Sequence, residues 1–372
     1  MKFVFFIVLL NFSTLSFAGN KVPVILDTDM AIDDWAALLL LAMHEDINLL
    51  AVTANGVGES RCQPAMENIP KLLDLTPSQK VAIACGDDYP IDGFFAFPEA
   101  WRQQADTLSN VKLPTSQREV SKLHSVELIH KILKENSSEK VILVSTGSLT
   151  NIAQWLTKYP QQKSRVSRLI IMGGAFDVPG NIIVPGFTDK HPNLHAEWNI
   201  FVDPKAASIV FKSGLPIETV GLDVTNQVKV EAWFATAFKK SVATPAAEFW
   251  DKVLDDNDWF IDSGEYYFWD VLAAIVAIDS SFCEGTYDSV EVSYDVTDEP
   301  WQASALKSIP KTLADGSVRN HFSAKTAGIT RVSGSNPKVK VCRKTKAQAA
   351  FDLFTKTINS RDTSKSKHKV NM

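Results

Sequence analysis

Short β-rich apolar runs alternate with helical stretches along most of this chain, and the alternation limits the folds open to it. Residues 22–26, 47–53, 81–84, 141–145, 169–172 and 217–220 each read as a strand buried on both faces. Helical stretches fall between them, at residues 33–44, 125–134 and 204–212. Strand and helix in turn predict an α/β fold, an open and mostly parallel central sheet flanked by helices. Residues 290–296 and 338–342 read as further strands and 346–357 as a last helix. No internal repeat and no dividing linker interrupts the pattern. A single domain over residues 19–360 is therefore expected, large because of insertions.

The two ends read differently. Lys2 precedes an apolar run at residues 3–10, and Ser16-Phe17-Ala18 places small residues where a signal peptidase inspects them. Residues 1–18 are thus expected to be an export signal cut after Ala18, leaving a secreted or periplasmic protein with no membrane segment in its mature form. Residues 361–372 are polar and lysine-rich, the composition of a disordered tail. A net charge of −5 without a basic run before that tail argues against nucleic acid as a partner. Cys62, Cys85, Cys283 and Cys342 permit three pairings, or free buried thiols, and the absence of a CxxC pair argues against zinc.

Functional-looking clusters follow the strands. After the first comes "VILDTDMAIDDWAALLLL", in which Asp27, Asp29, Asp33 and Asp34 crowd between two apolar runs. Carboxylates this close repel and resist burial, so something positive or hydrogen-bonding belongs among them. Acids at a helix N-terminus account for Asp33 and Asp34 but not for the other two. Hard divalent cations take such oxygen ligands. An EF-hand is excluded, because its glycine and last glutamate positions fall on Ile32 and Leu38. A phosphatase of the haloacid dehalogenase type, with a DxDx nucleophile motif, fits Asp27 to Met30 but not Ala31 or the second acidic pair. "STGSLTN" and "MGGAF" follow the fourth and fifth strands. In open α/β sheets ligands bind at these carboxyl ends.

"DTDMAIDD" resembles the DxDPGxDD opening of the calcium-dependent nucleoside hydrolases, the inosine-uridine preferring family. "VSTGSLTNIA", "LIIMGGAF", "AEWNIFVDPKAA" and "FWDVLAAI" are similar to four later blocks of that family, in family order. The resemblance implies a Ca2+ ion held by Asp29, Asp34, the main-chain carbonyl of Thr146, and Asp270. It implies hydrolysis of the N-glycosidic bond of a ribonucleoside by water whose acidity the ion increases, with Asp29 as general base. Asp33, Asn181, Glu197 and Asn199 would bind ribose, Met172 would line it, and Asp27 would orient its neighbours. Asn193 competes with Asn181 for its role, and Glu197 with Asn199 alternates as an exposed strand would.

Trp269 stands where pyrimidine-tolerant members have His, and Trp101 in "AFPEAWR" where purine-specific members have a second tryptophan. Two indoles stacked on a base favour the larger purine. The resemblance is therefore to the purine-specific inosine-adenosine-guanosine branch, as a homodimer or homotetramer. A catalytically weak nucleoside- or ribose-binding protein is the alternative, and it leaves the general base Asp29 without a purpose. Two departures stand out. Met30-Ala31 replaces Pro-Gly, so Ala31 is strained if its position needs positive φ. Glu59 in "GVGES" takes the place of the family's usual Asn. His191 and His195, in the loop at residues 182–195, receive no role.

Overall fold

The structure, a computed structural model, describes residues 21–78, 80–298 and 309–360. The expected signal and tail, at 1–18 and 361–372, lie outside the described residues.

Among the described residues nine strands form one sheet: β1 (Val22–Thr28), β2 (Ile47–Ala54), β3 (Ala82–Cys85), β4 (Val141–Ser145), β5 (Val166–Met172), β6 (Ile217–Val220), β7 (Glu284–Val292), β8 (Thr330–Val332) and β9 (Lys338–Lys344). Their order is β3-β2-β1-β4-β5-β6-β9-β7-β8. The first seven in that order pair in parallel, and β7 and β8 close one edge in antiparallel fashion. In β1 every residue after Val22 is buried and in β4 every residue is, as expected where helices cover both faces. β7 runs over Glu284–Val292 rather than 290–296, because its pairing with β9 begins at Glu284.

The sheet changes direction at β1, which pairs with β2 on one side and β4 on the other. The connections that follow β1 and β4 run to opposite sides, to β2 and to β5, so their loops part above the carboxyl ends of these two strands and open a crevice there. Asp27 lies opposite Thr53 of β2 and Ser145 of β4, which sets all three strand ends around one point.

Helix Ile32–Met43 rises directly from β1 and helix Trp269–Ile278 packs against it. Both are apolar nearly all round and buried, as helices in the middle of a layer must be. Each brings its acidic residues in its first turn, Asp33 and Asp34 on one and Asp270 on the other. The positive ends of two helix dipoles thus meet at the acidic cluster and offset part of its repulsion.

The cysteines pair as Cys62–Cys85 and Cys283–Cys342. The first ties the start of helix Cys62–Asp74 to the end of β3, and the second ties β9 to the approach to β7. Among the described residues no helix is long and apolar enough to cross a membrane.

Candidate active site

Asp27, Asp29, Asp33, Asp34 and Asp270 are all at most 6% exposed. Carboxylate oxygens of Asp33, Asp34 and Asp270 lie within 4.8 Å of one another, and Asp29 is in hydrogen-bond contact with Asp34. Asp33 Oδ2 accepts from the Asp270 backbone N–H at 3.2 Å, joining the starts of two helices whose acids lie 237 residues apart in the sequence.

The residues around them are arranged to hold oxygen atoms still. Asp34 accepts from the hydroxyls of Thr146, at 2.6 Å, and Thr28, and its other oxygen accepts from the Ala31 N–H at 2.9 Å. Asp29 accepts from the Glu59 N–H at 3.1 Å. Asp27 accepts from Thr53 Oγ1 and Asn151 Nδ2, each at 2.7 Å. Asn199 Nδ2 donates to the main-chain oxygens of Thr146, at 2.9 Å, and Met172, at 3.2 Å. The Thr146 carbonyl keeps a second lone pair for a ligand.

Burial is the main reason why these acids hold their protons. It pushes Asp27 up to about 7 and Asp33 up to about 6. Asp34 and Asp270 are raised well above the carboxylate range, by burial first and then by neighbouring acids. Asp29 is raised for the same first reason. Asp270 Oδ1 is buried, with no hydrogen-bond partner among the described residues. A cation among these oxygens would offset the repulsion and meet the unused lone pair. The donor set is all hard oxygen and fits a divalent ion.

Glu197 and Asn199 do not form the exposed strand that their alternation suggested. Glu197 caps helix Trp198–Val202, accepting from the N–H groups of Asn199 at 2.9 Å and Ile200 at 3.2 Å, and also from Gly174 at 3.2 Å. Burial nonetheless raises it to about 7. Asn181 accepts from the Trp198 N–H at 3.1 Å and so adjoins the same turn. Asn193 is fully occupied elsewhere, bonded to Ala324 and Ala327 carbonyls and to the His195 and Ala196 N–H groups. That removes it as Asn181's competitor.

The strain expected at Ala31 falls one residue earlier. Ala31 has φ −64°, whereas Met30 sits in the left-handed region at φ 59°. Its N–H donates to Thr28 Oγ1 at 2.9 Å and its carbonyl accepts from Trp35 Nε1 at 2.8 Å. Proline, locked near −65°, cannot adopt this conformation, so the turn closes by its own means.

Two glycines let backbone approach Asp29. A Cβ on Gly147 would lie 2.7 Å from Asp29 Cβ and 2.8 Å from its nitrogen, and one on Gly58 would overlap the carboxylate. Gly147→Ala should therefore cost about 1–3 kcal/mol, the usual range for overpacking. Thermal unfolding of the variant checks this, and an unchanged melting temperature would contradict the close approach.

Trp101 and Trp269 belong to separate aromatic groups. Trp101 meets Phe97, Trp198 and Phe187, the last from the loop at residues 182–195. Trp269 meets Phe260, Tyr266 and Tyr267. Burial and the charges of Asp29 and Asp33 raise Glu59 well above the carboxylate range, which places it beside the cluster. Arg102, next to Trp101, donates to the Gly56 carbonyl at 2.6 Å and so ties that helix to the Glu59 loop. His191 is buried, and its pKa falls to about 4 for that reason.

Sequence reasoning overlooked several participants. Thr28 and Thr53 show no motif of their own, and Asn151 lay unremarked inside a quoted block. Tyr266 stood four residues before Asp270 with nothing in its spacing to mark it.

The model of the inosine-uridine preferring nucleoside hydrolases matches residues 24–352. The chain belongs to this family. Among its nucleoside hydrolase relatives, a pyrimidine-specific ribonucleoside hydrolase of Shewanella sp. (strain MR-7) is 36% identical over 208 residues, covering 56% of this chain. The chain spans 61% of that relative's length. An inosine-uridine preferring nucleoside hydrolase from Bacillus anthracis superposes with a TM-score of 0.68 at 22% identity, covering 91% of this chain and 99% of the other. A purine-preferring ribonucleoside hydrolase from Gardnerella vaginalis does so with 0.69 at 22%, covering 91% and 98%. These two likenesses confirm the nucleoside hydrolase fold.

Proposed function

We propose that this chain hydrolyses the N-glycosidic bond of purine ribonucleosides, releasing free base and ribose, with Ca2+ as its metal. The observation behind this reading is the meeting of Asp33, Asp34 and Asp270 from two helix starts, with Asp29 beside Asp34 just after β1. Asp29, Asp34, Asp270 and the Thr146 carbonyl would hold the ion. When bound, a divalent cation neutralises the acids and makes a nearby water easier to deprotonate.

The chain's own groups supply the remaining chemistry. Asp29, fixed by the Glu59 N–H, accepts the proton of the attacking water. Asp33 accepts hydrogen bonds from ribose hydroxyls, and Glu197, Asn199 and Asn181 hold the sugar. Positive charge that develops on the sugar, as in other glycoside cleavage, is favoured among so many carboxylates.

The purine preference rests on Trp101 and Trp269, whose large π-surfaces would stack on a base, and stacking favours the larger ring system. A pyrimidine preference is the second reading, favoured by the name of the Shewanella relative. Inosine should turn over faster than uridine, measured as free base and ribose with purified protein; faster uridine hydrolysis would reverse the assignment. We also propose that the protein is exported to the periplasm or beyond. The two disulfides support this reading, since they form in oxidising compartments.

A further inference from the structure

We propose that Asn193 and Thr330 are positioning residues for ribose binding: through them the segment at residues 322–330 fixes the turn that carries Glu197 and Asn199. The inference rests on the nucleoside-hydrolase reading and deepens it.

Helix Trp198–Val202 has five residues, too few to hold a geometry unaided. Glu197, its cap, points where the N–H groups of Gly174, Asn199 and Ile200 draw it. Its carboxylate is therefore only as well placed as the two pieces of backbone that meet there, one after β5 and the other at the helix start. The segment at residues 322–330 grips both. Asn193 is fully buried and spends every hydrogen bond of its amide at once. Its oxygen accepts from the His195 and Ala196 N–H groups, at 3.1 and 2.9 Å, and its nitrogen donates to the Ala324 and Ala327 carbonyls, at 3.0 and 2.8 Å. Ala196 also pairs with Ile329 in an antiparallel bridge. On the other side, Thr330 Oγ1 donates to the Ala175 carbonyl at 2.8 Å and accepts from the Ala175 N–H at 3.0 Å. Ala175 adjoins Gly174, whose N–H holds Glu197. Between the two grips Gly328, at φ 76°, lies so close to the helix that a Cβ there would fall 2.6 Å from Phe201 Cα.

A surface loop can leave its polar groups to water. The loop at residues 182–195 instead carries a buried amide four residues before Glu197, and the chain beyond it is bonded to the same segment that holds Ala175. A buried polar network in which every group is satisfied specifies one geometry. Apolar packing supports it, since Phe322 and Ile329 share a small core with Ala196, Trp198 and Phe201. Ribose then meets Glu197 and Asn199 already in place, and little ordering is left to be done on binding. Neither Asn193 nor Thr330 needs to touch the sugar.

The test is a double-mutant cycle on inosine hydrolysis with Ca2+ present. Asn193→Asp keeps the oxygen that the His195 and Ala196 N–H groups need and sets a second oxygen against the Ala324 and Ala327 carbonyls. The local turn survives and its grip on the segment is lost. KM for inosine should rise about 10-fold, the worth of roughly one hydrogen bond, with kcat within about 3-fold of the parent's. In a Glu197→Ala background the same substitution should change KM by less than about 2-fold, because the group that it positions is already gone. Thr330→Val, similar in shape but without the hydroxyl, should repeat both results and serves if Asn193→Asp does not fold. Equal rises in the two backgrounds, or a lower melting temperature with KM unchanged, would overturn the positioning role. A parent protein inactive on every ribonucleoside would instead sink the activity on which the inference rests. The same cycle on inosine binding, measured by titration calorimetry, then decides the positioning by itself.

Discussion

Asp29→Asn should lower kcat on inosine by about 10³-fold at saturating Ca2+, within the range for loss of a general base. The amide retains an oxygen that can accept from the Glu59 N–H, so the side chain keeps its anchor. It cannot take a proton. The substitution also removes one negative charge from beside Asp34, where the presence of Asp29 helps push the neighbour upward. The metal-free variant should accordingly melt at a higher temperature than the metal-free parent at pH 7.5. A variant with lost activity and raised stability separates chemistry from folding. Activity within a few-fold of the parent's would reject Asp29 as the base.

Removing the metal should abolish turnover and expose a dependence of stability on pH. Asp27 rises from 3.8 to about 7, Asp33 to about 6 and Glu197 from 4.5 to about 7, all through burial. A folded value above the unfolded one means that the folded state prefers the proton. That contribution is fully present below about pH 4 and is lost as pH rises through 6 to 7. Asp27 alone represents roughly 4 kcal/mol across the window, from about 1.4 kcal/mol for each pH unit. After chelation the melting temperature should therefore fall between pH 5 and pH 7.5. Ca2+ should restore it, and by more at pH 7.5, because the ion competes with protons for the same oxygens. The measurement is thermal unfolding at both values with and without chelator. A metal-free protein more stable at pH 7.5 than at pH 5 would refute the account of a charge-strained cluster.

Much of the architecture could be read from local pattern. Short runs rich in Val and Ile, such as residues 141–145, become strands, because β-branched side chains suit a pleated run buried on both faces. The acidic cluster was legible for the opposite reason, since four carboxylates between apolar runs contradict their surroundings. Glu197 shows where pattern misleads. Its alternation with Asn199 suits a strand, but its carboxylate caps a helix, a role set by the N–H groups that its neighbours happen to present. The strain moved from Ala31 to Met30 because Trp35 and Thr28 hold the turn, and contacts of that kind have no signature in a dipeptide.

What the linear chain determined by itself is chemical: which residues are acidic, which runs are apolar, and therefore that a parallel sheet ends in carboxylates needing a counter-charge. Tertiary structure alone decided the partners. It chose Cys62–Cys85 and Cys283–Cys342 among three pairings, brought Asp270 to Asp33 and Asp34, and left Tyr266 and Trp269 with donors unspent. The physical reason is range. Burial preference and backbone propensity act over a few neighbouring residues, whereas a buried polar atom is satisfied or orphaned by whatever the rest of the fold packs against it.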